Sequence, residues 1–126
     1  MAVHIFLNPS TGKCYPLSVQ EWDTDTIKEF IGSRQIDFAS YRIEGIVYGF
    51  ILYDFSALLP FEERYPSVVD KDGNPLLYGN VVLYAYDEGG VTRSMDEEEV
   101  QFIMDHVSKI SCTYTPSKKT AMFNVD

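Results

Sequence analysis

Ile36-Asp37-Phe38-Ala39-Ser40-Tyr41-Arg42-Ile43, then Glu44-Gly45, then Ile46-Val47-Tyr48-Gly49-Phe50-Ile51-Leu52-Tyr53-Asp54-Phe55, is the stretch on which the fold turns. Its first segment alternates loosely, as a strand does, and Glu44-Gly45 interrupts it. Its second is apolar or aromatic on both faces, with only Asp54 charged. Such a run suits a central strand covered on each side.

Working outward, residues 2–7 and 14–19 flank the turn formers Asn8-Pro9-Ser10-Thr11-Gly12-Lys13, which reads as strand, tight connection, strand. Asp23-Thr24-Asp25-Thr26 offers N-cap side chains before Ile27, Phe30 and Ile31, spaced i, i+3, i+4, and Gly32 ends that short helix. On the other side Leu58-Leu59-Pro60 closes the central strand. Residues 60–78 read as a long loop with turn signals at Tyr65-Pro66 and Asp70-Lys71-Asp72-Gly73-Asn74-Pro75. Gly79 to Tyr86 is a further strand, with Val82, Tyr84 and Tyr86 on one face and Val81, Leu83 and Ala85 on the other. After the Glu88-Gly89-Gly90 turn, Ser94-Met95-Asp96-Glu97 reads as a capping box. It opens a second helix whose stripe is Val100, Ile103, Met104 and Val107. The expected architecture is a single α+β domain over residues 1–111, with an antiparallel or mixed sheet of about five strands and two helices. Residues 112–126 add a last strand or a mobile tail.

The 126 residues are 45% hydrophobic and 23% charged, a globular composition for one domain. Disordered, coiled-coil and collagen-like classes are excluded, and no window reaches the run of about 18 apolar residues that a membrane span needs. Met1 to Leu7 lacks a basic segment and a long apolar core, so no secretory signal is expected. Cys14 and Cys112 are too few for a disulfide framework, which together with the N-terminus points to the cytoplasm. The net charge of −9 argues against direct binding of nucleic acid.

No catalytic motif survives inspection. Asp70-Lys71-Asp72-Gly73-Asn74 starts like a calcium loop, but Pro75 stands where the glycine belongs and Val81 where the bidentate Glu belongs. Gly12-Lys13 lacks the rest of a phosphate loop, and Gly89-Gly90 the rest of a dinucleotide fingerprint. His4, His106, Cys14 and Cys112 have no metal-ligand spacing. Asp37 and Asp54 interrupt apolar strands and read as strand-end acids facing solvent. The expectation is a protein that is not an enzyme and carries no metal or cofactor.

Charge distribution is more informative. Residues 87–105 hold Asp87, Glu88, Asp96, Glu97, Glu98, Glu99 and Asp105 against one base, Arg93; residues 21–29 add Glu21, Asp23, Asp25 and Glu29 against Lys28. Both groups open a helix, where the dipole favours acids. As a surface, the first could also mimic DNA phosphates toward a basic groove. The second feature is aromatic: Tyr48, Tyr84 and Tyr86, with Arg42 or Arg64 as a base, make a candidate face for a flat ligand or a partner.

Ile27-Lys28-Glu29-Phe30-Ile31-Gly32, Ile36-Asp37, Leu58-Leu59-Pro60 with Arg64, Gly79-Asn80-Val81-Val82-Leu83 and Ser94-Met95-Asp96-Glu97-Glu98 follow one another in an order that resembles a family of small uncharacterised proteins of bacteriophages and mobile elements, a domain of unknown function. The similarity spans residues 2–107. It departs from the family pattern at Leu58, where the family has glycine, and at Glu63, where an Asn precedes the arginine. The resemblance brings no catalytic residue; it implies a mobile-element origin and a host bacterium's cytoplasm. The expected function is a phage accessory protein of the anti-CRISPR or antirestriction type, which inhibits a host nucleic-acid-handling or defence protein through Asp87, Glu88, Asp96, Glu97, Glu98 and Glu99. The alternative is a binder that sequesters a nucleotide signal on its Tyr-rich sheet.

Overall fold

The computed structural model describes residues 2–20, 23–60, 64–111 and 119–126. Residues 36–53 fold as the hairpin of β3 (Ile36–Ile43) and β4 (Ile46–Tyr53), paired residue for residue without a bulge. Glu44 and Gly45 both take positive φ, 48° and 82°, the two-residue turn whose twist matches its strands. β1 (Ala2–Asn8) and β2 (Lys13–Val19) form a second hairpin, and β7 (Val81–Tyr86) lies between the two. The order is β2-β1-β7-β4-β3, all antiparallel, with the two-residue β8 (Thr92–Arg93) pairing the end of β7.

A smaller mixed sheet has the order β6-β5-β10-β9, from β5 (Pro66–Val69), β6 (Pro75–Tyr78), β9 (Val107–Ser111) and β10 (Lys119–Asn124). Here the structure corrects the sequence reading. Residues 60–78 are not one long loop: Asp70 accepts from the backbone N–H groups of Asp72 and Asn74, closing a turn between β5 and β6. Four-residue strands starting at prolines carry too little periodicity to stand out. The large sheet keeps the expected number, with five strands on its main path, and the second sheet adds four beyond it. Residues 119–124 are an interior strand, parallel to β5 and antiparallel to β9, and bury Ala121, Met122 and Phe123. Residues 112–118, Cys112 among them, fall outside the described residues. So does Glu21.

The alternation along β4 and β7 sorts the core onto two faces of the large sheet. Ile5, Leu7, Tyr48, Phe50, Val81, Leu83 and Ala85 point one way and meet Val68, Leu77, Ala121 and Phe123 of the small sheet and Ile103 of α2 (Glu97–Met104). Phe6, Ile51, Val82 and Tyr84 point the other way and meet Ile27 and Ile31 of α1 (Thr24–Ile31). That helix is capped as its sequence predicts, by Asp23 accepting from Thr26 and by Gly32 at φ 86°. The double-sided run of β4 is thus explained: each face has its own cover. Among the described residues, no helix is long and apolar enough to cross a membrane.

Candidate partner-binding site

Four of the acidic residues, Asp96, Glu97, Glu98 and Glu99, open α2, but not with the cap the sequence suggests. Ser94 accepts from the Val3 backbone N–H at 2.8 Å, and the Met95 N–H donates to the Val3 carbonyl at 3.1 Å. The chain leaving β8 is thereby stitched to the first strand, and Ser94 is used there. The N-cap is Asp96, whose carboxylate accepts from Glu99 N–H at 2.8 Å. The helix also stops sooner than its apolar stripe: Val107 lies in β9.

Within the first turn the glutamates have different fates. Glu97 and Glu98 are exposed, beside the positive end of the helix dipole. Glu99 turns inward and takes both Arg93 guanidinium nitrogens, at 2.6 and 2.8 Å, while the Tyr48 hydroxyl donates to it at 2.9 Å. The Arg93 Nε donates to the Tyr86 carbonyl at 2.9 Å, so the fork is held from both ends. The hydrogen bonds from Arg93 hold the Glu99 carboxyl below its ordinary range, and Glu99 in turn raises Arg93. Burial first, then the bond to Glu99, pushes the Tyr48 hydroxyl well above the ordinary tyrosine range. A hollow of about 490 Å³ opens over this group, lined also by Ile46, Asp96, Glu98 and Phe102. Glu97 lines another, about 580 Å³, on the far side of the helix start with Val3, Pro16 and Val100.

Asp87 and Glu88 sit in the β7–β8 turn. The Asp87 carboxylate accepts from the backbone N–H groups of Gly89 and Val91, both at 2.9 Å, and so builds the turn; Glu88 is exposed. Of the six acids singled out in the sequence, Asp87, Asp96 and Glu99 thus hold structure, whereas Glu88, Glu97 and Glu98 make no ion pair among the described residues. Arg93 is the member that sequence reasoning missed. No pattern links it to Glu99 six positions on, because the two meet only through the bend from strand to helix.

The Tyr-rich face does not assemble. Tyr48 points into the core shared with the small sheet, and Tyr84 and Tyr86 point to the α1 side, because Tyr48 stands opposite Ala85 and the residues on either side of Ala85 face the other way. Tyr84 is buried; its ring lies over Gly49 directly opposite, where any Cβ would overlap it, and Tyr86 donates to its hydroxyl at 3.1 Å. Arg42 is exposed on that same side and donates to the Gly45 carbonyl, while Arg64 lies over the Tyr78 ring at 5.9 Å, beside the small sheet. Two arginines and three tyrosines therefore line no common pocket. Asp37 and Asp54 are exposed, and Asp37 accepts from Phe38 N–H. His4 is fully buried with its ring edge-on to Tyr84, and burial lowers its pKa. His106 follows α2, with Nδ1 at 2.7 Å from the Phe102 carbonyl and Nε2 at 3.3 Å from Glu44. Among the described residues, no three His, Cys, Asp or Glu side chains gather as a metal site.

Compared with protein-family models, with curated proteins and with solved structures, the chain matches none.

Proposed function

We propose that the protein is a non-catalytic binding protein whose exposed acids, Glu88 with Glu97 and Glu98, dock on the basic surface of a nucleic-acid-handling protein and keep nucleic acid from it. The observation that supports this reading is the use of Arg93. The only base between residues 87 and 105 is spent inward on Glu99, so the exposed acids around it keep their charge uncompensated. Such a field speeds encounter with a basic groove and weakens with salt. Its resemblance to phage proteins makes a host defence protein, of the kind addressed by anti-CRISPR or antirestriction proteins, the target class, in the host's cytoplasm.

The variant that tests this must leave Glu99 alone, since Glu99 holds Arg93 and Tyr48. Glu88→Lys, Glu97→Lys and Glu98→Lys together should preserve the melting temperature. They should also abolish capture of a nucleic-acid-binding protein from nuclease-treated bacterial lysate. The wild type should release that protein at high salt and should compete with DNA or RNA for it. Capture of the same protein by both forms, or binding without competition, would overturn the reading.

A further inference from the structure

A further hollow lies on the α1 side of the large sheet, on the opposite face from α2. Three junctions of the chain meet there. α1 ends at Gly32, whose φ of 86° lets its N–H and that of Ser33 both reach the Lys28 carbonyl. β4 runs out at Tyr53 toward the 3-10 turn Ser56–Leu58. β6 passes into β7 through Gly79 and Asn80, and Asn80 Nδ2 donates to the Phe30 carbonyl at 3.1 Å, which ties that bend to α1. The space between them is about 350 Å³. Small-molecule sites run from roughly 300 to 1,000 Å³.

The lining joins apolar wall to open polar groups. Ile31 and Leu59 supply apolar surface, and Tyr53 is half-buried beside them. Ser56 is only 3% exposed, yet its hydroxyl has no hydrogen-bond partner among the described residues. A hydroxyl so enclosed takes its bond from whatever fills the hollow. Asn80 spends its amide nitrogen on Phe30, which fixes the amide and leaves Oδ1 as an acceptor. Among the described residues, no charged side chain lines the space.

We propose that this hollow binds a nucleobase, presented as an uncharged nucleoside. A base is flat, so it can lie against the Tyr53 ring between the apolar walls. Its edge carries an N–H donor next to an acceptor, the two functions that Asn80 Oδ1 and the Ser56 hydroxyl answer. The surroundings give a phosphate nothing. The adjoining hollow, about 450 Å³, shares Gly32 and Ser33 and sets Lys28 and Arg34 against Asp25 and Glu29, with Arg34 facing Asp25 at 4.0 Å. Its two bases are matched by two acids, and the net charge of −9 repels a phosphate from further away. A nucleoside therefore suits the site better than its nucleotide.

Calorimetric titration with adenosine, inosine, cytidine and uridine, each to low-millimolar concentration, tests the site. At least one should bind with a submillimolar dissociation constant and shift the Gly32, Gly79 and Asn80 amide signals in a nitrogen–proton correlation spectrum. Its 5′-monophosphate should bind several-fold more weakly at low salt, and the gap should narrow as salt is added. Ser56→Ala removes the open hydroxyl and should raise the dissociation constant about tenfold. Tyr53→Leu removes the ring and should raise it about tenfold as well. Should Tyr53→Leu fail to fold, Ser56→Ala decides. The proposal is overturned if none of the four binds, or if the monophosphate binds more tightly than its nucleoside. Amide shifts confined to other residues, or an unchanged dissociation constant in the folded variants, overturn it too.

Discussion

Tyr48 and Tyr84 lie on adjacent central strands and on opposite faces of one sheet, and each keeps its hydroxyl bonded in a different way. Tyr48 donates to a carboxylate that is itself held by Arg93; Tyr84 accepts from another tyrosine, Tyr86, and fills the space left by Gly49. One face settles its buried hydroxyl with charge and the other with shape. The face under α2 is therefore sensitive to pH and to loss of an ion-pair partner, whereas the face under α1 is sensitive to volume.

The largest effect should come from challenging shape. Gly49→Ala puts a methyl group into the Tyr84 ring, and urea melts should show a loss of about 2–3 kcal/mol. In a Tyr84→Leu background the same change should cost under about 1 kcal/mol, because the obstructing ring is gone. Equal costs in both backgrounds would show that Gly49 is not kept bare by Tyr84.

Next is the charged side. Arg93→Ala leaves the Glu99 carboxylate with Tyr48 alone, and should cost about 1.5 kcal/mol, discounted because the Arg93 side chain is 39% exposed. Glu99 has a carboxyl pKa depressed in the folded state, so its contribution is present above the unfolded value of 4.5 and is lost as pH falls through the lower folded value. The wild type should therefore lose stability below about pH 4.5 more steeply than Arg93→Ala. Parallel pH–stability curves would contradict the assignment.

The smallest effect compares the two hydroxyls directly. Tyr48→Phe should cost about 1 kcal/mol and Tyr84→Phe about 0.5 kcal/mol, since a bond to a charged acceptor is worth more than one between neutral groups. Both hydroxyls are raised above the ordinary tyrosine value of 10, so each contributes stability that is full below pH 10 and is lost as the unfolded chain ionises above it. Each substitution should soften alkaline unfolding. Reversal of the order in denaturant melts would break the contrast between the faces.

Much of this was legible in residue order. The double-sided apolar run at Ile46–Phe55, the face assignment of Val81 to Tyr86, the first hairpin and the caps of α1 depend on periods of 2 and 3.6 and on residues next to one another in the chain. What the pattern missed lies where spacing is short or the partner is remote. β5 and β6 are too brief to show a period. Ser94 caps no helix because Val3, at the far end of the chain, takes its hydroxyl. Glu99 looks like its neighbours Glu97 and Glu98 until the bend after β8 brings it back to Arg93.

Residue order alone determined the five main strands of the large sheet, the presence of two helices, the α+β class, and the concentration of acid between residues 87 and 105, because these follow from local period, turn chemistry and composition. Tertiary contacts settled which acids face solvent and which tyrosines share a side. Those depend on contacts between segments tens of residues apart, such as Ser94 with Val3, Tyr48 with Glu99 and Asp126 with Arg42, whose pairing no local rule encodes.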